Sequence, residues 1–151
     1  MTTVRHQNIP AAYLILINDN KILLLRRFNT GYEDGNYSLI AGHVEKGESF
    51  SECIVREAKE EAGIIVKHED LKVVHVMHRN SEVVGQNERL EVFFSTDKWD
   101  GDVLNMEPSK CDDLSWFEVD SMPDNVVQYV RHALEGVKVK TYYSEYGWKL
   151  L

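Results

Sequence analysis

Apolar residues crowd positions 9–17 and again 22–25, and the polar tripeptide Asn18-Asp19-Asn20 stands between them. Two β-rich runs parted by turn residues predict a hairpin, with strands over 9–17 and 21–27. Positions 28–37 hold Gly31, Gly35, two Asn and an Asp, which marks a surface loop. Residues 38–41 then read as a short strand that Gly42 ends. The period changes at Ser49: Phe50, Cys53, Ile54, Ala58 and Ala62 recur at helical spacing, with Ser49 or Ser51 as cap and Gly63 as stop. Beyond that helix, short β-rich runs at 64–67, 71–77, 90–96 and 114–119 predict further strands. A second helical pattern covers 124–134 after Pro123, and 142–148 is an aromatic tail, irregular or extended. Strands mixed with two helices indicate an α/β layered domain. There is no internal repeat and no low-complexity tract.

A chain of 151 residues can bury a core as one domain, residues 1–151. Lys and Arg number 17 against 25 Asp and Glu, a formal charge of −8 that repels a nucleic-acid polymer or an anionic membrane surface. A small polyphosphate escapes that repulsion when it arrives as a metal complex, because carboxylates then hold it through the ion. Cys53 and Cys111 have neither zinc-ligand spacing nor disulfide density, so both are expected as buried thiols in a reducing compartment. No cationic segment leads into an apolar stretch at the N-terminus, and 11–17 is too short to span a bilayer. The expectation is a soluble, cytoplasmic protein.

Glu57, Glu60 and Glu61 stand at i, i+3 and i+4 of the first helix, so their carboxylates should project from one narrow face toward a shared point. Like charges at this spacing repel, and the bland reading is a solvated acidic face. The alternative is a site for a hard divalent ion, Mg²⁺ or Mn²⁺, bound through carboxylate, phosphate and water oxygens. The surroundings favour the second. Gly42 opens a loop, 43–47, that delivers the chain into the helix and lets backbone approach a ligand. Glu48 and Arg56 are placed to tie that loop to the helix by a charge-assisted pair.

Gly42, five residues, Glu48, seven residues, Arg56-Glu57-Ala58, one residue, Glu60-Glu61, one residue, Gly63-Ile64: this run is similar to the Nudix box. The resemblance implies a Nudix-type α/β/α sandwich with a mixed β-sheet between helices. It also implies Mg²⁺-dependent hydrolysis of a diphosphate bond, with Mn²⁺ able to substitute. By the same resemblance Glu57, Glu60 and Glu61, with the Gly42 carbonyl, are metal ligands, and Glu48 and Arg56 are the supporting ion pair. A nearby carboxylate would take the proton of the attacking water.

Residues 105–111 and Trp116 resemble the matching segment of Nudix nucleoside triphosphate diphosphatases. The leading expectation is thus a nucleoside or deoxynucleoside triphosphate split to monophosphate and pyrophosphate. Glu107 is a candidate metal ligand or base, and Lys110 is expected in solvent. The run Ser38-Leu39-Ile40-Ala41 lacks the Pro and Gly that this branch often places before the box glycine, which changes the pocket there. Only one of Arg26 and Arg27 can face inward, and Arg27 is the candidate for substrate. Phe28, Tyr32, Tyr37 and Trp116 are available to stack on a base, with core packing the more ordinary fate. His43, His75 and His78 complete no metal-ligand spacing and are expected to take no direct part. Rival functions are hydrolysis of a nucleotide sugar, ADP-ribose or dinucleoside polyphosphate, a non-catalytic nucleotide sensor, and an isoprenoid diphosphate isomerase. A homodimer is the default assembly.

Overall fold

The computed structural model describes residues 2–81 and 88–149. Strands β1 (Ile9–Asn18) and β2 (Lys21–Arg27) form the expected hairpin. Asp19 and Asn20 turn it with φ of 50° and 60°, a left-handed pair that matches strand twist and that Asp and Asn tolerate. The two strands pair only beside the turn and then diverge. β1 goes on to pair antiparallel with β4 (Ile40–His43) and parallel with β6 (Arg89–Thr96). β2 pairs with β3 (Tyr37–Ser38) and β7 (Cys111–Glu118). Beyond β6 lie β5 (Lys72–Arg79), antiparallel to it, and β8 (Tyr143–Tyr146), parallel to β5.

β1 is buried on both faces, which explains its unbroken apolar run. Its side chains divide by parity. Ala11, Tyr13 and Ile15 enter one core with Phe93 and Met77 under helix α2 (Gln128–Lys138). Ala12, Leu14 and Leu16 enter the other with Ile54 and Ala58 of helix α1 (Phe50–Ala62). The result is the α/β/α sandwich around a mixed sheet that the box implied. No helix among the described residues is long and apolar enough to cross a membrane.

Several boundaries differ from expectation. The strand at 38–41 is two strands, β3 and β4, parted by the buried Leu39. Gly42 does not end a strand but lies within β4 opposite Ala12. Residues 64–67 make only a bridge from Ile65 to Asp100, because no other backbone group there finds a strand partner. α2 starts at Gln128 because Asn125 and Val127 are still hydrogen-bonded to Tyr37. β7 begins at Cys111 rather than 114, and half of the aromatic tail is the edge strand β8.

Candidate active site

α1 is held at both ends. Ser49 accepts from the Glu52 N–H while the Glu52 carboxylate accepts from the Ser49 N–H, a capping box, and Gly63 ends the helix at φ 68°. Cys53, Ile54, Ala58 and Ala62 are buried against the sheet. That rotation leaves Arg56, Glu57 and Glu61 beside β4. Glu61 is partly buried and accepts the Ala41 N–H at 3.0 Å. Burial, reinforced by the Glu57 charge, pushes its carboxyl well above the usual range. Glu57 is also raised by burial, with Arg56 opposing.

Arg56 is the hub. Its Nε and Nη2 donate to Glu48 at 2.7 and 3.0 Å, and its Nη1 reaches Glu57 at 2.7 Å and Glu60 at 3.3 Å. The guanidinium bonds hold Glu48 down at about 2, and Nη2 also reaches the His43 carbonyl at 3.3 Å. Glu48 and Arg56 thus join loop to helix as the sequence suggested. Gly42 faces Glu57 so closely that a Cβ there would overlap the carboxylate. We expect Gly42→Ala to lower kcat/KM roughly 10-fold by displacing Glu57; steady-state kinetics at the parental value would refute this tight contact.

A cavity of about 560 Å³ brings the α1 acids together with Arg27, Glu107 and Lys110. Arg27 is positioned by the loop that follows it, donating from Nε to the Tyr32 carbonyl at 2.6 Å and from Nη2 to Thr30 Oγ1 at 3.1 Å. Arg26 points away, to Asp112 at 2.7 Å. Glu107 sits in a turn in which its carbonyl accepts the Lys110 and Cys111 N–H groups. Its charge helps raise both Glu57 and Glu61. Lys110 is mostly exposed, as expected, yet lines the cavity and stands 3.7 Å from Glu107.

Glu57, Glu60, Glu61 and Glu107 line one cavity as a set of hard oxygen donors, the chemistry a divalent ion takes. The donor chemistry fits. Among the described residues no group of three or more His, Cys, Asp or Glu side chains is already arranged to hold a metal ion. Arg56 holds Glu57 and Glu60 in the role a cation would play, and Glu61 is turned to the Ala41 N–H. The guanidinium engages one oxygen of each carboxylate, Oε1 of Glu57 and Oε2 of Glu60.

Other candidates fall outside the cavity. His43 Nε2 faces Arg89 Nη1 at 2.8 Å, and burial followed by the Arg89 charge lowers it. His75 is fully buried between the Thr141 carbonyl and Ser144 Oγ, a structural role. His78 pairs with Asn8 and Trp148. Tyr37 is core, donating to Asp113, and Trp116 stacks on Trp99. Both cysteines are buried and free, as expected.

Sequence reasoning missed a second cavity, about 540 Å³, lined by Tyr32, Tyr129, Tyr146, Arg79, Asn125 and Gln128. It adjoins the first, since Arg27 lies 5.4 Å over the Tyr32 ring. Beneath it Arg79 is paired with the fully buried Glu91 at 2.7 Å. The signal was present: strand alternation puts Arg79 in phase with His75 and Met77, and Glu91 in phase with Phe93. Opposite charges at inward positions of adjacent strands announce a buried pair.

The chain matches the NUDIX domain over residues 7–136. It belongs to the NUDIX family of diphosphate-bond hydrolases. It is 33% identical over 115 residues to the NAD-capped RNA hydrolase NudC of Vibrio atlanticus (strain LGP32), covering 76% of this chain and 39% of that protein. The NAD-capped RNA hydrolase NudC of Chromobacterium violaceum is 28% identical over 141 residues, covering 89% of this chain and 50% of that one. The chain thus spans half or less of these relatives. The fold is MutT-like: the MutT NUDIX hydrolase from Burkholderia pseudomallei superposes with a TM-score of 0.79 at 25% identity, covering 86% of this chain and 98% of that one.

Proposed function

We propose that this protein, as one domain, hydrolyses the diphosphate bond of a nucleoside diphosphate joined to a second group, with a free dinucleotide of the NAD type as the leading substrate. The observation that carries the reading is the adjacency of two cavities, one lined by acids and one by tyrosine rings and amides, linked through Arg27 and Tyr32. The first suits a metal-complexed diphosphate and the second a heteroaromatic ring with polar edges. The relatives named above, NAD-capped RNA hydrolases, support a substrate of this class. A net charge of −8 favours the free dinucleotide over an RNA end.

In this reading Gly42, Glu57, Glu60 and Glu61 hold Mg²⁺, and Mn²⁺ can replace it. A bound divalent ion supplies neutralisation of the diphosphate and a more acidic water. Arg27 meets phosphate oxygens and keeps the diphosphate in register with the acids. Glu48 holds Arg56, and Arg56 holds Glu57, so the pair positions the acids. Glu107 accepts the proton as a water oxygen bonds to phosphorus and the bridging P–O bond breaks.

A second reading, triphosphate to monophosphate and pyrophosphate, rests on the likeness of residues 105–111 to triphosphate diphosphatases. Product analysis separates the two. With Mg²⁺, NADH should yield two mononucleotides with a kcat/KM above that of any nucleoside triphosphate. Faster release of pyrophosphate from a triphosphate would install the second reading, and no turnover of either would remove both. NAD-capped RNA should be cleaved more slowly than free NADH.

A further inference from the structure

The second cavity is floored by a charged pair that its surroundings hold rigid. Arg79 donates from Nε to both Glu91 oxygens at 3.1 Å and from Nη2 to Oε1 at 2.7 Å. Tyr13 donates to the same Oε1 at 3.1 Å, and its ring stacks on Phe93 at 4.5 Å. The two side chains are 6% and 0% exposed, so neither can swing into water. A buried pair of this kind gives little net stability compared with apolar residues of the same volume. What it does give is a guanidinium plane fixed by paired donors on one buried carboxylate.

That plane carries Tyr129. The Arg79 Cζ lies 3.7 Å from the Tyr129 ring centroid, a face-on cation–π contact. Tyr129 is the second residue of α2, a helix whose N-cap, Val127, offers no side-chain hydrogen bond. The helix start itself is tied by the Val127 N–H, which donates to the Tyr37 carbonyl. Two further contacts hold the Tyr129 ring: Arg79 beneath it and the Tyr32 hydroxyl, 3.4 Å from the Tyr129 hydroxyl. Tyr32 in turn carries Arg27 of the diphosphate cavity.

We propose that Arg79 and Glu91 are positioning residues that set substrate selectivity: they fix the Tyr129 ring as the stacking surface for the heteroaromatic half of the substrate. This rests on the two-cavity reading above. Stacking on an immobile tyrosine costs less freedom than stacking on one whose side chain must be ordered at the same time, so the pair acts on KM.

The test compares NADH, with ATP alongside, against inorganic tripolyphosphate, which has diphosphate bonds but no ring. The double variant Arg79→Met with Glu91→Leu removes both charges at similar volume, and Arg79→Lys keeps the ion pair but loses the flat face. In both, the ratio of kcat/KM for nucleotide over tripolyphosphate should fall at least 10-fold, chiefly through KM. Tyr129→Leu should give the same fall, and adding it to the double variant should give no further loss. An unchanged ratio in Arg79→Lys or in the folded double variant, or losses that multiply when combined with Tyr129→Leu, would overturn the assignment. If the parent enzyme cleaves tripolyphosphate as well as either nucleotide, it is the ring-cavity reading itself that fails, a result separable from the other two.

Discussion

Glu61→Gln is expected to reduce kcat/KM for the best substrate by on the order of 100-fold or more, with the fold intact. The fold survives because the amide oxygen of Gln can still accept the Ala41 N–H, the hydrogen bond that Glu61 makes at 3.0 Å. Activity does not, because an amide carries no charge for a divalent ion, and Glu61 is the most deeply buried acid of the site. Burial already opposes ionisation of Glu61, so the neutral variant should unfold at the same temperature as the parent or slightly above it when chelator is present. Mg²⁺ titration should separate the parent, stabilised by the ion, from a variant that no longer responds. A variant with parental kinetics and the parental Mg²⁺ response would show that Glu61 is not a ligand.

The same residue shows what a sequence can disclose of a site. Spacing placed Glu57, Glu60 and Glu61 on one turn, and they are there; the capping box and the Gly63 stop were legible too, because each is written within a few residues. What spacing could not say is where each carboxylate turns. Glu61 goes to a β4 backbone donor, while Arg56 gathers Glu57 and Glu60, and those choices depend on a strand and a loop distant in the chain. Arg27 and Glu107 were legible as candidates, yet only the fold puts residues 80 apart on the walls of one cavity.

The fold follows the same division. The unbroken apolar run along β1 reports that both its faces are covered, but not that β2 leaves it after the turn to pair with β7. The start of α2 was misread because Val126 and Val127 fit a helical apolar pattern, whereas Asn125 and Val127 are already hydrogen-bonded to Tyr37. Tertiary pairing overrides local propensity there. The ring cavity went unseen for a related reason: its walls come from the 28–37 loop, β5, α2 and the tail, none of which carries a motif.

Glu91→Ala is expected to cost about 3–5 kcal/mol of folding stability, the range for stripping one partner from a buried ion pair. Arg79 would keep its charge at a position 6% exposed, with Tyr13 losing its acceptor as well. For a domain of this size that lowers Tm by on the order of 10 °C. The double variant Arg79→Met with Glu91→Leu should recover most of that loss, since no charge is then stranded and apolar volume replaces the pair. The contrast between a costly single change and a nearly neutral double one is the mark of a pair kept for geometry rather than stability. Thermal and urea unfolding of the parent and the two variants measures it directly. A double variant as unstable as Glu91→Ala would mean that the pair itself stabilises the sheet, and the positioning of Tyr129 would then have to be judged on the selectivity data alone.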